Sequence, residues 1–182
     1  MGALWLQMST TRLVLNEATY QLVLKELVLE ARRLLWIVTA DIKDLYIEDG
    51  KDFVPFLKVL ADKLRDGVEI RLVHAKEPGP RFREDFDRFP ELVQSEVFER
   101  ILCPRMHMKC VIADGKKAYV GSANLTGAGM GAKSPHRRNF EAGVVTDDRE
   151  TIHDLMAFLD AFYLGDHCVK CQRRDVCPDP IA

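Results

Sequence analysis

The chain has 182 residues, 47% hydrophobic and 30% charged, with a formal net charge of −2. This length fits one domain with a real core, and the composition is that of an ordinary soluble globular protein. It excludes a membrane-spanning chain, since no stretch approaches the roughly 20 apolar residues of a span. A charge this close to zero also excludes a surface that binds polyanions everywhere, so nucleic-acid binding would need a local basic patch.

The first residues, Met1-Gly2-Ala3-Leu4-Trp5-Leu6-Gln7, lack a basic n-region, and their apolar run is too short for a signal peptide. Leu6 breaks the myristoylation pattern. The expectation is a cytoplasmic protein that uses no membrane. Apolar residues at Leu22, Leu24, Leu27, Val28 and Ala31 predict an amphipathic helix over 16–32. A strand follows over Leu34–Ala40, then a helix near 52–65 ending at Asp66-Gly67, and a strand over Val68–His74. After the loop at Pro78-Gly79-Pro80, a charged helical piece near 81–97 leads to a strand over Phe98–Cys103. The run 107–113 reads as a strand apolar on both faces, as a doubly covered central strand requires. Asp114-Gly115 predicts a hairpin turn, with a return strand over 117–121. A strand over Phe140–Thr146 and a helix near 149–165 complete the pattern. Strands alternating with helices imply an α/β fold, an α-β-α sandwich around a mixed sheet. A catalytic domain over 1–165 would be followed by a Cys-rich tail over 166–182.

The hairpin carries the chemistry. His107, Lys109, Asp114, Gly121, Ser122 and Asn124 form the pattern H-x-K-x₄-D-x₆-G-S-x-N. His107 and Lys109, two apart on a strand, share a face. With Asp114 and Gly115 as the two central turn residues, Ser122 faces His107; a one-residue shift puts Asn124 there instead. A neutral imidazole can attack phosphorus, a lysine can hold a phosphate oxygen, and Ser122 and Asn124 offer neutral donors. Asp114 sits at the turn, where an anion shapes the hairpin more readily than it helps to bind phosphate. Glu141, on the strand after the motif, is a carboxylate that could fix the imidazole tautomer.

This pattern resembles the active-site signature of the phospholipase D superfamily, the HKD enzymes, and the resemblance covers most of the chain to about residue 165. It implies phosphodiester cleavage through a phosphohistidine, with His107, Lys109, Ser122, Asn124, Glu141 and Asp114 as the site set and no cofactor required for catalysis. Only one motif is present, while the reaction needs a second group to protonate the leaving oxygen. Single-motif chains resemble the small bacterial nucleases of the superfamily, which pair two protomers, so a homodimer acting on DNA or RNA is expected. A phospholipid phosphodiesterase is the rival reading. A third is a nucleic-acid-binding subunit of a larger defence or repair complex. Lys116-Lys117 and the group Lys133, His136, Arg137 and Arg138 could contact phosphate or could simply solvate their loops. His74 and His153 read as structural or surface residues.

The tail carries a second signal, Cys168-x₂-Cys171-x₅-Cys177. Closely spaced thiols after a helix look like metal ligands, and the run resembles, over about ten residues, the C-terminal cysteines of iron–sulfur-containing RecB-type nucleases. An iron–sulfur cluster, zinc and free thiols are the three readings. A helix over 149–165 running back to the active-site end would bring the tail to Cys103, the expected fourth ligand. Cys110 points away as a buried thiol.

Overall fold

A computed structural model of the chain describes residues 9–43 and 45–181. The N-terminal residues read above for targeting signals, 1–7, lie outside the described residues. The described residues form nine strands: β1 (Thr11–Leu15), β2 (Leu34–Thr39), β3 (Tyr46–Asp49), β4 (Asp52–Pro55), β5 (Glu69–His74), β6 (Phe98–Leu102), β7 (Cys110–Ala113), β8 (Lys117–Gly121) and β9 (Ala142–Thr146). Seven form one sheet in the order β1-β9-β8-β7-β2-β5-β6, and β3 and β4 form a separate hairpin. β2, β5 and β6 run parallel, while the pairings from β2 through β7, β8 and β9 to β1 are antiparallel. The sheet is mixed, as expected.

Strand alternation divides the core into two. Leu35 and Ile37 of β2 and Val111 and Ala113 of β7 join a large core with a π-wound helix (Tyr20–Val28) and α1 (Phe56–Arg65). Trp36 and Val38 of β2 and Cys110 and Ile112 of β7 join the opposite core. There they meet Ile152, Leu159 and Phe162 of helix α4 (Arg149–Tyr163). Short helices α2 (Pro80–Asp87) and α3 (Pro90–Gln94) place Phe82, Phe86 and Leu92 on the large core. Each sheet face is thus covered by helix, giving three layers.

The helix expected over 16–32 is shorter, Tyr20–Val28, and it is preceded by an edge strand, Thr11–Leu15, paired with β9, for which no element was expected. Asn16 turns the chain between them at φ 48°, and the Leu29 N–H reaches back five residues to the Leu24 carbonyl. The piece expected as one helix near 81–97 is two, because Pro90 cannot donate a backbone hydrogen bond and Phe89 before it is extended (φ −111°, ψ 97°). The helix expected from 52 starts at Phe56, since Asp52–Pro55 pair with β3.

The 113–117 connection sets the register of the motif. Asp114 and Gly115 have φ of 56° and 64°, and the Lys116 N–H closes the turn on the Ala113 carbonyl at 2.9 Å. Ala113 nevertheless pairs with Lys117, so Lys116 is one residue extra. Extended by this register, position 107 faces 123, between Ser122 and Asn124. The expectation of either residue directly opposite His107 is corrected by that inserted residue.

Asp114 is also a cap. Its carboxylate accepts from the backbone N–H groups of Arg32 (3.1 Å), Arg33 (2.7 Å) and Leu34 (3.1 Å), which start β2. Burial opposes ionisation here, but the amides of Leu34, Arg33 and Arg32 outweigh it and hold the carboxyl below its ordinary value. Because the folded value is depressed, this stabilisation is present above about pH 4 and lost as pH falls through the folded value. Asp114→Ala is expected to cost about 1–3 kcal/mol at pH 7. Its stability gap to the native chain should narrow toward pH 3, as read by urea unfolding at both pH values. An unchanged gap would show that the cap contributes nothing.

Candidate active site

The site lies where β2 and β5 end and β7 begins. β2 makes its last pair with β7 at Val38–Cys110, so residues 107–109 project beyond it. On the other side the ladder continues one step, with the Gly121 N–H donating to the Lys109 carbonyl at 3.1 Å. The strand expected from 107 therefore starts at Cys110, and His107 is left exposed at its free end. By alternation His107 and Lys109 follow Val111 and Ala113 on one face, while Met108 packs toward the α4 core. Lys109 is nearly buried. Its ammonium donates to the His107 carbonyl at 2.8 Å and lies 3.3 Å from Nε2 and 3.4 Å from Nδ1 of the His107 ring. A fixed cation thus stands beside an accessible imidazole, as attack on a phosphate anion requires.

Asn124 is locked by its carbonyl oxygen. Oδ1 accepts from the Ala40 and Asp41 N–H groups at 3.2 and 3.1 Å, and from Thr39 Oγ1 at 3.3 Å. This end of β2 is tied again by the Leu125 N–H to Thr39 Oγ1 at 3.0 Å. Among the described residues the Asn124 Nδ2 makes no hydrogen bond, which leaves a positioned neutral donor. Asn124 also lines an open cavity of about 560 Å³ with Asp41, Lys43, Lys133 and Asn139.

Ser122 Oγ donates to Glu141 Oε2 and accepts from the Ala142 N–H at 3.1 Å. Glu141 Oε1 accepts from Asn139 Nδ2 at 3.0 Å. The carboxylate expected on the imidazole is therefore bonded to Ser122 and Asn139, and among the described residues nothing joins it to His107. Asn16 clamps its backbone: Asn16 Oδ1 accepts from the Glu141 N–H at 3.0 Å and the Asn16 N–H donates to the Glu141 carbonyl at 2.9 Å. Gly121 pairs with Gly143 across β8 and β9, and a Cβ at Gly121 would lie 2.7 Å from the Ala142 carbonyl. The close approach allowed by Gly121 is thus to the strand carrying Glu141.

Asp114, the remaining member of the motif, lies at the opposite end of β7, seven residues and about 23 Å along an extended chain from His107. Its place in the catalytic set is corrected: it caps β2. Lys116 and Lys117 lie at that far end too, so they are separated from the site. Lys133, His136 and Arg137 are exposed on the loop leading to Glu141, whereas Arg138 is drawn onto the Lys133 carbonyl and Glu17. His74 is fully buried, with Nδ1 on the Lys76 carbonyl and Nε2 accepting from Arg100 Nε, both at 2.8 Å. Burial and the Arg100 charge push it down to about 4, so it is a neutral structural histidine. Sequence reading missed Asn16 and Asn139; the signal available was an asparagine next to a strand end, a residue type tolerant of positive φ.

A sheet end that presents an exposed imidazole, an adjoining ammonium and fixed amide and hydroxyl groups is the arrangement of side chains expected of the phospholipase D class. Residues 24–162 match the family model described as "Cardiolipin synthase, PLD-like domain", and the chain belongs to that family. The cardiolipin synthase of Geobacillus kaustophilus (strain HTA426) is 29% identical over 143 residues, 75% of this chain and 25% of that protein. The chain thus matches a quarter of the length of this relative. Among solved structures, NucT from Helicobacter pylori matches with a TM-score of 0.60 at 17% identity, over 83% of this chain and 93% of NucT. Nuc from Salmonella typhimurium, a phospholipase D family member, matches with 0.58 at 14% identity, over 83% of this chain and 91% of Nuc. These two likenesses show a shared fold.

Proposed function

We propose that the chain is a nuclease that works as a homodimer, each active site using His107 from both protomers. The observation that carries this reading is a single exposed His107–Lys109 motif pair with no second histidine bonded to it among the described residues: His74 is buried and fully bonded, His153 is exposed on α4, His167 packs on Phe158 and Phe162, and His136 is on the exposed loop before Glu141. Lys133 and Arg137 give the loop beside Glu141 the local positive charge that a polyanion needs. One His107 attacks phosphorus, forming a P–N bond as the P–O bond to the leaving group breaks. The second protomer's His107 gives its proton to that leaving oxygen. It then takes a proton from water, which attacks phosphorus and releases the histidine. Lys109 and Asn124 Nδ2 stabilise the charge on the non-bridging oxygens.

A phospholipid substrate is the second reading. It is favoured by the family match and by Phe140, 96% exposed next to Glu141. The discriminating experiment offers labelled single- and double-stranded DNA and RNA, and vesicles of phosphatidylglycerol and cardiolipin, all in EDTA. Cleavage of a nucleic acid without vesicle turnover is expected; turnover of lipid alone would overturn the nuclease reading. Excess His107→Ala protomer mixed into the native protein should suppress cleavage through mixed dimers, and undiminished activity would exclude a shared site.

A further inference from the structure

Residues 166–181 fold as a series of turns in which no side chain is buried. The only side chains of this segment that turn inward even partly are Cys168, Cys171, Cys177 and Ile181. Such a segment has no core of its own, and small units of this kind are held by a cross-link or a metal. A free cysteine is ordinarily a buried core residue, and Cys110 follows that pattern at 1% exposure. The other four do not. Cys103, Cys168, Cys171 and Cys177 are free thiols that together line one open cavity of about 540 Å³, although Cys103 is 65 residues before the next of them.

The backbone presents each thiol on a tight turn. The Met106 N–H bonds the Cys103 carbonyl at 2.8 Å, the Cys171 N–H the Cys168 carbonyl at 3.1 Å, and the Cys177 N–H the Arg174 carbonyl at 3.2 Å. Positive charge surrounds them. Arg105 Nη1 donates to Cys171 Sγ at 3.5 Å, and Lys170, Arg173 and Arg174 line the same cavity. Four thiolates around a divalent ion or a cluster carry net negative charge, which these cations would balance. Among the described residues no three ligating side chains are already gathered at one ion position, so the thiols would have to rotate into the cavity they share.

We propose that Cys103, Cys168, Cys171 and Cys177 form a four-thiolate metal centre, for Zn²⁺ or an iron–sulfur cluster, that staples the C-terminal segment to the loop feeding His107. Cys103 to Met106 is that loop, and the segment already touches its strand through Asp179 Oδ2, which accepts from the Leu102 N–H at 3.1 Å. The centre lies on the α4 face and His107 on the other, so the metal acts on the active site through the backbone.

The test is metal content in full-length protein purified without oxygen or chelator. Either about one zinc per chain, or iron with acid-labile sulfide and visible absorption, supports the proposal and decides which metal. Serine at any of the four positions should lower metal per chain at least about tenfold, while Cys110→Ala keeps it. Because a serine variant could misfold, the native protein is also alkylated and mapped by mass spectrometry. The four thiols should react at least about tenfold more slowly before metal is stripped than after. Native protein with neither metal, full metal in the serine variants, or prompt labelling of all four thiols would each overturn the centre.

Discussion

His107→Ala is expected to lower phosphodiester cleavage by at least about a thousandfold, the scale on which loss of a covalent nucleophile acts. Lys109 cannot substitute, because its ammonium is committed to the His107 carbonyl and has no lone pair to offer phosphorus. Folding should be unaffected, since the His107 side chain is exposed and, among the described residues, its ring has a hydrogen-bonding neighbour only in Lys109. Measured turnover, with thermal unfolding as a control, checks both halves of this expectation. Retention of most activity in a folded His107→Ala protein would remove the imidazole from the mechanism.

Lys109→Met is expected to lower kcat by about a hundred- to a thousandfold, the usual effect of deleting one positioned charge at a developing oxyanion. Two losses combine. The non-bridging oxygens lose their nearest cation, and the His107 backbone loses the 2.8 Å bond that holds the projecting end of the strand. KM should change far less than kcat if the charge acts mainly in the transition state. A variant whose KM rises with kcat unchanged would make Lys109 a binding residue only.

The fold was legible wherever residues carry their own pattern. The apolar runs of β2, β5 and β7 announce buried strands, and the spacing of Ile152, Leu159 and Phe162 announces α4. What stayed hidden depends on distant partners. Thr11–Leu15 becomes a strand only because β9, 127 to 135 residues later by its pairs Leu15–Ala142 and Thr11–Thr146, offers it an edge, and Leu13 remains 68% exposed there.

The site divides in the same way. His107, Lys109, Ser122 and Asn124 stand at one sheet end because a short hairpin must bring them there. The partner of Glu141 was not legible, since it turns on one extra residue at Lys116 and on Asn16 and Asn139 reaching it from separate loops. Asp114 shows the limit of reading a motif as a unit: chemistry and capping occupy opposite ends of one four-residue strand. The convergence of Cys103 with the tail follows from α4 running back along the sheet, a matter of helix length and direction.

The most direct measurement is a rapid acid- and alkali-quench of the enzyme with a labelled oligonucleotide in EDTA, followed by peptide mapping. A phosphoramidate between nucleotide and His107, labile to acid, formed by the native chain and absent from His107→Asn, is the predicted result. Cleavage that leaves no adduct and demands added Mg²⁺, or an adduct that persists in His107→Asn, would contradict it.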